Sequence, residues 1–164
     1  MSVVSDILAT YKGPARVMRK LVSMGQREDR ALAMLMFGCV IIFVAQWPRL
    51  ARQALSTGEE LNILLGGALL GWLFIMPLVF YTLAMVVYFV FRLLGRKPQS
   101  WGMRLALFWA VLAASPLLLL DGLVAGFLGQ GVPRMVVGAV WLFAFFWFWF
   151  SGSLTAAKET AQDA

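Results

Sequence analysis

Few side chains in this 164-residue chain could do chemistry. Histidine is absent, which removes imidazole metal ligation, haem ligation through histidine and Ser-His nucleophilic catalysis. The single cysteine, Cys39, cannot form an internal disulfide, and its apolar surroundings in sequence favour a buried, inert thiol. Asp121 is the only acidic residue close to a long apolar run, so it is the candidate for an ion or proton path. Proton transport needs partners, however, and no second intramembrane carboxylate is evident, so a place at the outer interface is the simpler reading of Asp121. No catalytic residue, cofactor or metal site is expected.

Other spacings suit contact rather than reaction. Arg16, Arg19, Lys20 and Arg27 share one side of a short helical pattern whose other side carries Val17, Met18, Leu21 and Val22. A basic face of this kind fits anionic lipid headgroups, or an acidic protein partner. Gly67 and Gly71, four apart, form a small-residue face suited to close helix packing. Gly122 and Gly126 repeat the spacing, but in a Gly-rich stretch that reads as lying outside a span. Pro77 and Pro116 predict helix kinks. The run WLFAFFWFWF at residues 141–150 puts aromatics on every face, so most should meet lipid or neighbouring helices, with Trp147 and Trp149 in an interfacial belt.

The elements that must position these residues are membrane helices. Hydrophobic residues make up 62% of the chain and charged residues 13%, with a mean hydropathy of +0.83, which argues against a water-soluble domain. Residues 31–47 carry no charge and would extend about 26 Å as a helix, enough to cross a bilayer core. Residues 61–94 would reach about 51 Å, too long for one untilted span and too short for two, so they read as one helix kinked near Pro77. Residues 101–120 form a third span and residues 133–150 a fourth. The stretch after Asp121, GLVAGFLGQG, reads as a re-entrant or interfacial turn, and residues 153–164 as a fraying polar tail. Splitting residues 101–130 at Pro116 would create a fifth span, but each fragment is too short to cross.

The expected fold is therefore an all-α polytopic bundle of four transmembrane helices. Residues 1–30 precede it as an amphipathic segment on the cytoplasmic membrane surface; residues 31–152 form the bundle. The net charge of +6 follows topology rather than nucleic acid. Eleven of the Lys and Arg residues fall on the side holding both termini, against Arg49, Arg52 and Arg134 on the other, which puts both termini in the cytoplasm of an inner-membrane protein.

Two segments, KGPARVMRKL at residues 12–21 and RLALFWAVLAASPLLLL at residues 104–120, together resemble bacterial members of the Yip (Ypt-interacting protein) family. The resemblance runs loosely over residues 10–152. It implies a small multi-spanning membrane protein without catalytic residues; eukaryotic relatives associate with Rab-type GTPases and shape or traffic membranes. Family members are commonly drawn with five spans, whereas this chain reads better with four. The function expected is non-enzymatic: scaffolding or assisting a larger membrane assembly, through other subunits or self-association, or organising membrane lipid. A small transporter or channel component is the alternative, and a lipid-modifying enzyme ranks third.

Overall fold

The computed structural model describes residues 3–95 and 99–162, with side chains to residue 159. Arg96 and Lys97, which enter the charge bias, lie outside the described residues, as does Pro98. The described residues are mostly helical: α1 (Val3–Lys12), α2 (Pro14–Ser23), α3 (Glu28–Thr57), α4 (Leu61–Leu70), a π-helical segment (Gly71–Ile75), α5 (Met76–Leu93), α6 (Ser100–Phe127) and α7 (Val132–Gln162). Among the described residues four helical stretches, with α4 to α5 counted as one, are long and apolar enough to cross a membrane.

Helix α6 is the centre. Every residue from 101 to 115 except Arg104 is buried, and α3, α5 and α7 all pack on it. The reason is visible in its sequence, where Gly102, Ala106, Ala110, Ala113 and Ala114 remove side-chain bulk and let three neighbours approach. Cys39 of α3 is fully buried in this core. The α4–α5 stretch is the outermost, with 17% of its most apolar window buried against 56% for α6.

Three boundaries differ from the sequence reading, each for a local reason. Helix α3 continues past residue 47 through Pro48 to Thr57, so Arg49 and Arg52 are helical and only residues 58–60 connect it to α4. Its stop is Gly58, whose φ of 73° is left-handed and whose N–H caps the Ala54 carbonyl. Helix α6 likewise passes Pro116 and Asp121 and ends at Phe127, so GLVAGF is helix and not a re-entrant turn. Pro116 cannot bond the Leu112 carbonyl, and the Ser115 hydroxyl donates to that oxygen instead at 2.8 Å. The tail also stays helical, because Gly152, Ser153, Thr155, Ala156 and Ala157 are buried.

Near Pro77 the expected irregularity falls on Gly71–Ile75, just before α5 begins at Met76. Pro77 has no N–H to offer the carbonyl four residues back, and the chain widens into a π turn in which Met76 N–H reaches Gly71 O. At the far end of the bundle the Arg52 guanidinium donates to the carbonyls of Gly126 and Phe127 at 3.0 and 3.1 Å. A cation there satisfies two orphan acceptors and complements the negative end of the α6 dipole.

Candidate functional site

The most unusual placement is that of the two N-terminal helices. Gly13 N–H closes α1 on the Ala9 carbonyl at 3.0 Å, and Pro14 opens α2 at its first position, where the missing N–H costs nothing. The chain folds back at this elbow, since Lys20 Nζ and Asp6 Oδ1 meet at 2.7 Å. The elbow is pinned to the bundle by two long-range hydrogen bonds. Tyr11 Oη donates to the Ala113 carbonyl at 3.0 Å, and Trp109 Nε1 donates to Thr10 Oγ1 at 3.1 Å. The Tyr11 ring meets Phe148 of α7 edge-on at 5.0 Å.

The apolar side of α2 is accordingly covered by protein. Val17, Met18 and Leu21 are buried, and Met18 lies against Gly152 of α7 beside Ala106 of α6. This corrects the expectation that these side chains rest in the lipid interface. Amphipathic periodicity marks a face that must be covered, and here the α6–α7 seam covers it. Ala113 is nine residues beyond Arg104, about 13.5 Å along α6, in the middle of the uncharged stretch 105–120. The elbow thus reaches the centre of that stretch, while Leu21 returns level with the start of α3, where Arg30 Nη2 donates to its carbonyl at 3.4 Å.

This geometry sorts the basic residues. Lys20 is committed to Asp6, and Arg27 stands 3.8 Å from Asp29, an exposed pair worth little. Arg30 caps the end of α2, and Arg104 pairs with Glu28. Arg16 and Arg19 remain exposed without a partner among the described residues, and they converge with Lys12 on a groove of about 470 Å³ lined also by Ala9, Gly13 and Ala15. Two of the four basic residues predicted from sequence are brought together, and Lys12 is added. Its signal was the elbow itself, because a fold-back at Gly13-Pro14 returns Arg16 beside Lys12.

The glycine pairs exchange roles. A Cβ at Gly122 would lie 1.8 Å from the Ala45 carbonyl oxygen, and one at Gly126 2.5 Å from Pro48 Cβ, so this pair is the close α3–α6 crossing. A Cβ at Gly67 or Gly71 would meet no other part of the protein within 4 Å, so that pair faces outward.

Asp121 lies opposite Arg134 at 3.9 Å, and Arg134 also donates to Gln130 Oε1 at 2.6 Å. Their open cleft is lined by α6, α7 and the turn between them; Pro77 and Pro116 do not line it. Along α7, Trp141, Phe145 and Trp149 form a ladder with ring centroids 5.6 and 5.7 Å apart, while Trp147 points outward. Among the described residues no three His, Cys, Asp or Glu side chains gather as metal ligands. Comparison with protein-family models, with curated proteins and with solved structures gives no match to this chain.

Proposed function

We propose that the chain is a non-enzymatic, multi-pass inner-membrane protein that organises anionic lipid, with both termini cytoplasmic. The observation carrying this reading is the cluster of Lys12, Arg16 and Arg19, exposed and without acidic partners among the described residues, on an elbow seated against the middle of an uncharged helix stretch. A cation held at bilayer depth costs about 3 kcal/mol on insertion scales, so three of them call for counter-charge or water. Lipid phosphates supply both by being drawn inward along α2, on which Arg16 and Arg19 stand about 3 and 8 Å from the level of Pro14. Headgroups pulled below the leaflet surface thin the bilayer locally, which is how a small bundle organises the lipid around it or prepares a site for another subunit. The Yip-like segments at residues 12–21 and 104–120 coincide with the basic α2 and with the helix that receives the elbow, which fits a membrane-shaping role.

Full-length protein should bind phosphatidylglycerol in preference to phosphatidylcholine, as read by native mass spectrometry of lipid-titrated micelles. Arg16→Glu with Arg19→Glu should reduce that preference about tenfold or more, since each cation near an anionic surface contributes about 1 kcal/mol. Raising salt should weaken the wild-type preference in the same direction. Equal binding of the two lipids by the wild type would remove the basis of the reading. A transport role rests on Asp121, and Arg134 already opposes its charge, so lipid organisation has the stronger support.

Orientation has its own test. In a Cys39→Ser background, Ser56→Cys should label from outside the cell, while Ser100→Cys and Lys158→Cys should label only after permeabilisation. These three positions are exposed at helix ends, whereas Ser153 is buried and suits no reporter. External labelling at residue 100 would invert the topology.

A further inference from the structure

Asp121 and Arg134 face the same open cleft between α6 and α7, and neither uses its full hydrogen-bonding capacity within the protein. At 3.9 Å their nearest atoms are too far apart for a hydrogen bond, and the Asp121 carboxylate accepts none from any described residue. Arg134 spends a donor on Gln130 Oε1 and keeps the rest of its guanidinium. Both side chains stay open to the cleft, Asp121 at 20% exposure and Arg134 at 27%. The wall beside the carboxylate is Gly138, where a Cβ would lie 3.9 Å from Asp121 Oδ1, so no side chain closes over that oxygen from this position. Asp121 stands six residues before Phe127, about 9 Å along α6 from its end. Leu118 lies nearly a turn deeper, and Leu142 lies eight residues further into α7 than Arg134. The cleft therefore carries both signs of charge at its mouth and is apolar toward the middle of the bundle. A carboxylate more than a turn inside a spanning helix, with no donor from the protein, draws one from whatever fills the cleft.

We propose that this cleft seats the headgroup of phosphatidylethanolamine, its ammonium donating to Asp121 and its phosphate accepting from Arg134. What the two side chains lack selects this occupant. A carboxylate only accepts and a guanidinium only donates, so the occupant must carry donors and acceptors close together, on an apolar body that can lie on Leu118, Met135 and Leu142. A primary ammonium beside a phosphodiester on acyl chains has that layout, and both contacts are charge-assisted. The choline headgroup presents only methyl groups to a carboxylate and leaves Asp121 without a donor. A phosphatidylglycerol phosphate would bring net negative charge to a pair that is already balanced. The seat lies at the α6–α7 turn and selects a zwitterion, so it is separate in place and in chemistry from the Lys12, Arg16 and Arg19 cluster and does not rest on the reading of that cluster.

The experiment compares phosphatidylethanolamine with phosphatidylcholine of the same acyl chains, by native mass spectrometry of lipid-titrated micelles. Delipidated full-length wild type should bind the ethanolamine lipid about tenfold more tightly, the effect of restoring N–H donors to a charged acceptor. The N,N-dimethylated ethanolamine lipid, close to the choline lipid in bulk but with one N–H left, should group with phosphatidylethanolamine. Asp121→Asn should bind the ethanolamine and choline lipids alike. Arg134→Gln removes the contact to the phosphate that both lipids share, so it should weaken both together and keep the ethanolamine lipid ahead. Gly138→Leu, which puts a side chain over the carboxylate, should abolish the discrimination with both charged residues in place. The Arg16→Glu, Arg19→Glu protein should keep the ethanolamine-over-choline ratio while losing its preference for phosphatidylglycerol, so the two lipid readings fail separately. Equal binding of the ethanolamine and choline lipids by the wild type overturns the proposal without recourse to any variant. A ratio that survives Asp121→Asn overturns it too, by placing the choice elsewhere. Glycerophosphoethanolamine competing as well as the intact lipid would do the same, by giving the cleft to a soluble zwitterion.

Discussion

Gly122→Ala should destabilise the bundle by about 3 kcal/mol, the upper end for inserting one methyl into a packed interior. The added Cβ would fall 1.8 Å from the carbonyl oxygen of Ala45, and both atoms are held by helical backbone. Nothing flexible stands in the way to move aside. Helices α3 and α6 must separate, and with them the contact of Gly126 on Pro48 and the Arg52 cap on the end of α6. Gly67→Ala is the control. A Cβ there meets nothing within 4 Å, so the change should be neutral or stabilise by about 0.5–1 kcal/mol through reduced backbone entropy of the unfolded chain. Unfolding titrations in mixed micelles would read both. A Gly122→Ala protein within a few tenths of a kcal/mol of wild type would refute the crossing, and a loss at Gly67 would mean that its outward face is covered by another chain.

The same two glycine pairs show how far the sequence carries the fold. Spacing of four identifies both as helix-packing faces, but ranks them by whether they stand inside an obvious apolar span. Residues 122–126 follow Asp121 and contain two glycines, so hydropathy marks them as a turn. What hydropathy does not register is that the absent side chains are what allow α3 to lie on α6, so the glycines that look like helix breakers are why the helix continues. The tail departs from its polar appearance for a related reason: Gly152, Ser153, Thr155 and Ala156 are small and polar as a string, yet small residues are what a close crossing with α2 and α6 requires. Four apolar helices, by contrast, are legible from length alone, because runs of uncharged residues longer than about 17 have few alternatives to a spanning helix.

The candidate site is legible to a different degree. The two faces of α2 can be read from helical periodicity, since Val17, Met18 and Leu21 recur on one side and Arg16 and Arg19 on the other. Periodicity gives the direction of each face and not the material that covers it. Lipid and protein are equally apolar, so an interfacial helix and a docked helix share one pattern. The distinguishing residues lie outside α2: Thr10 and Tyr11 before the elbow, and Trp109 in α6, whose hydrogen bonds span 99 and 102 positions of sequence. No local pattern announces such pairs. Lys20 illustrates the consequence, because a cation that looks free on a helical wheel is neutralised by Asp6 only once the chain has folded back.

Docking of the elbow draws on Tyr11 through both its ring and its hydroxyl, and Tyr11→Ala should release it. The substitution removes a half-buried ring packed on Phe148 and leaves the Ala113 carbonyl without its phenol donor, at a cost of about 2–3 kcal/mol. Because the loss falls on α1 and α2 rather than on the α3–α6 core, it should appear as local opening, with trypsin cleaving after Arg16 and Arg19 about 30-fold faster or more. Tyr11→Phe keeps the ring and loses only the hydrogen bond, so its cleavage should rise about fivefold. Burial also pushes the Tyr11 hydroxyl above its ordinary value of 10.0, because the phenolate is the form that burial disfavours. A folded-state value above the unfolded one means that the contribution is fully present below about pH 10 and is lost as pH rises through the folded-state value. A nitroxide at residue 15 in a Cys39→Ser background should accordingly gain mobility above about pH 10 in the wild type, and Tyr11→Phe should show no such alkaline step from this residue. Since Arg16 and Arg19 are placed by the docked elbow, Tyr11→Ala should also lose much of the preference for phosphatidylglycerol although every basic residue is intact. If that variant opens the elbow and still selects the anionic lipid as the wild type does, then bilayer depth does not matter to recognition, and the basic residues act from the surface.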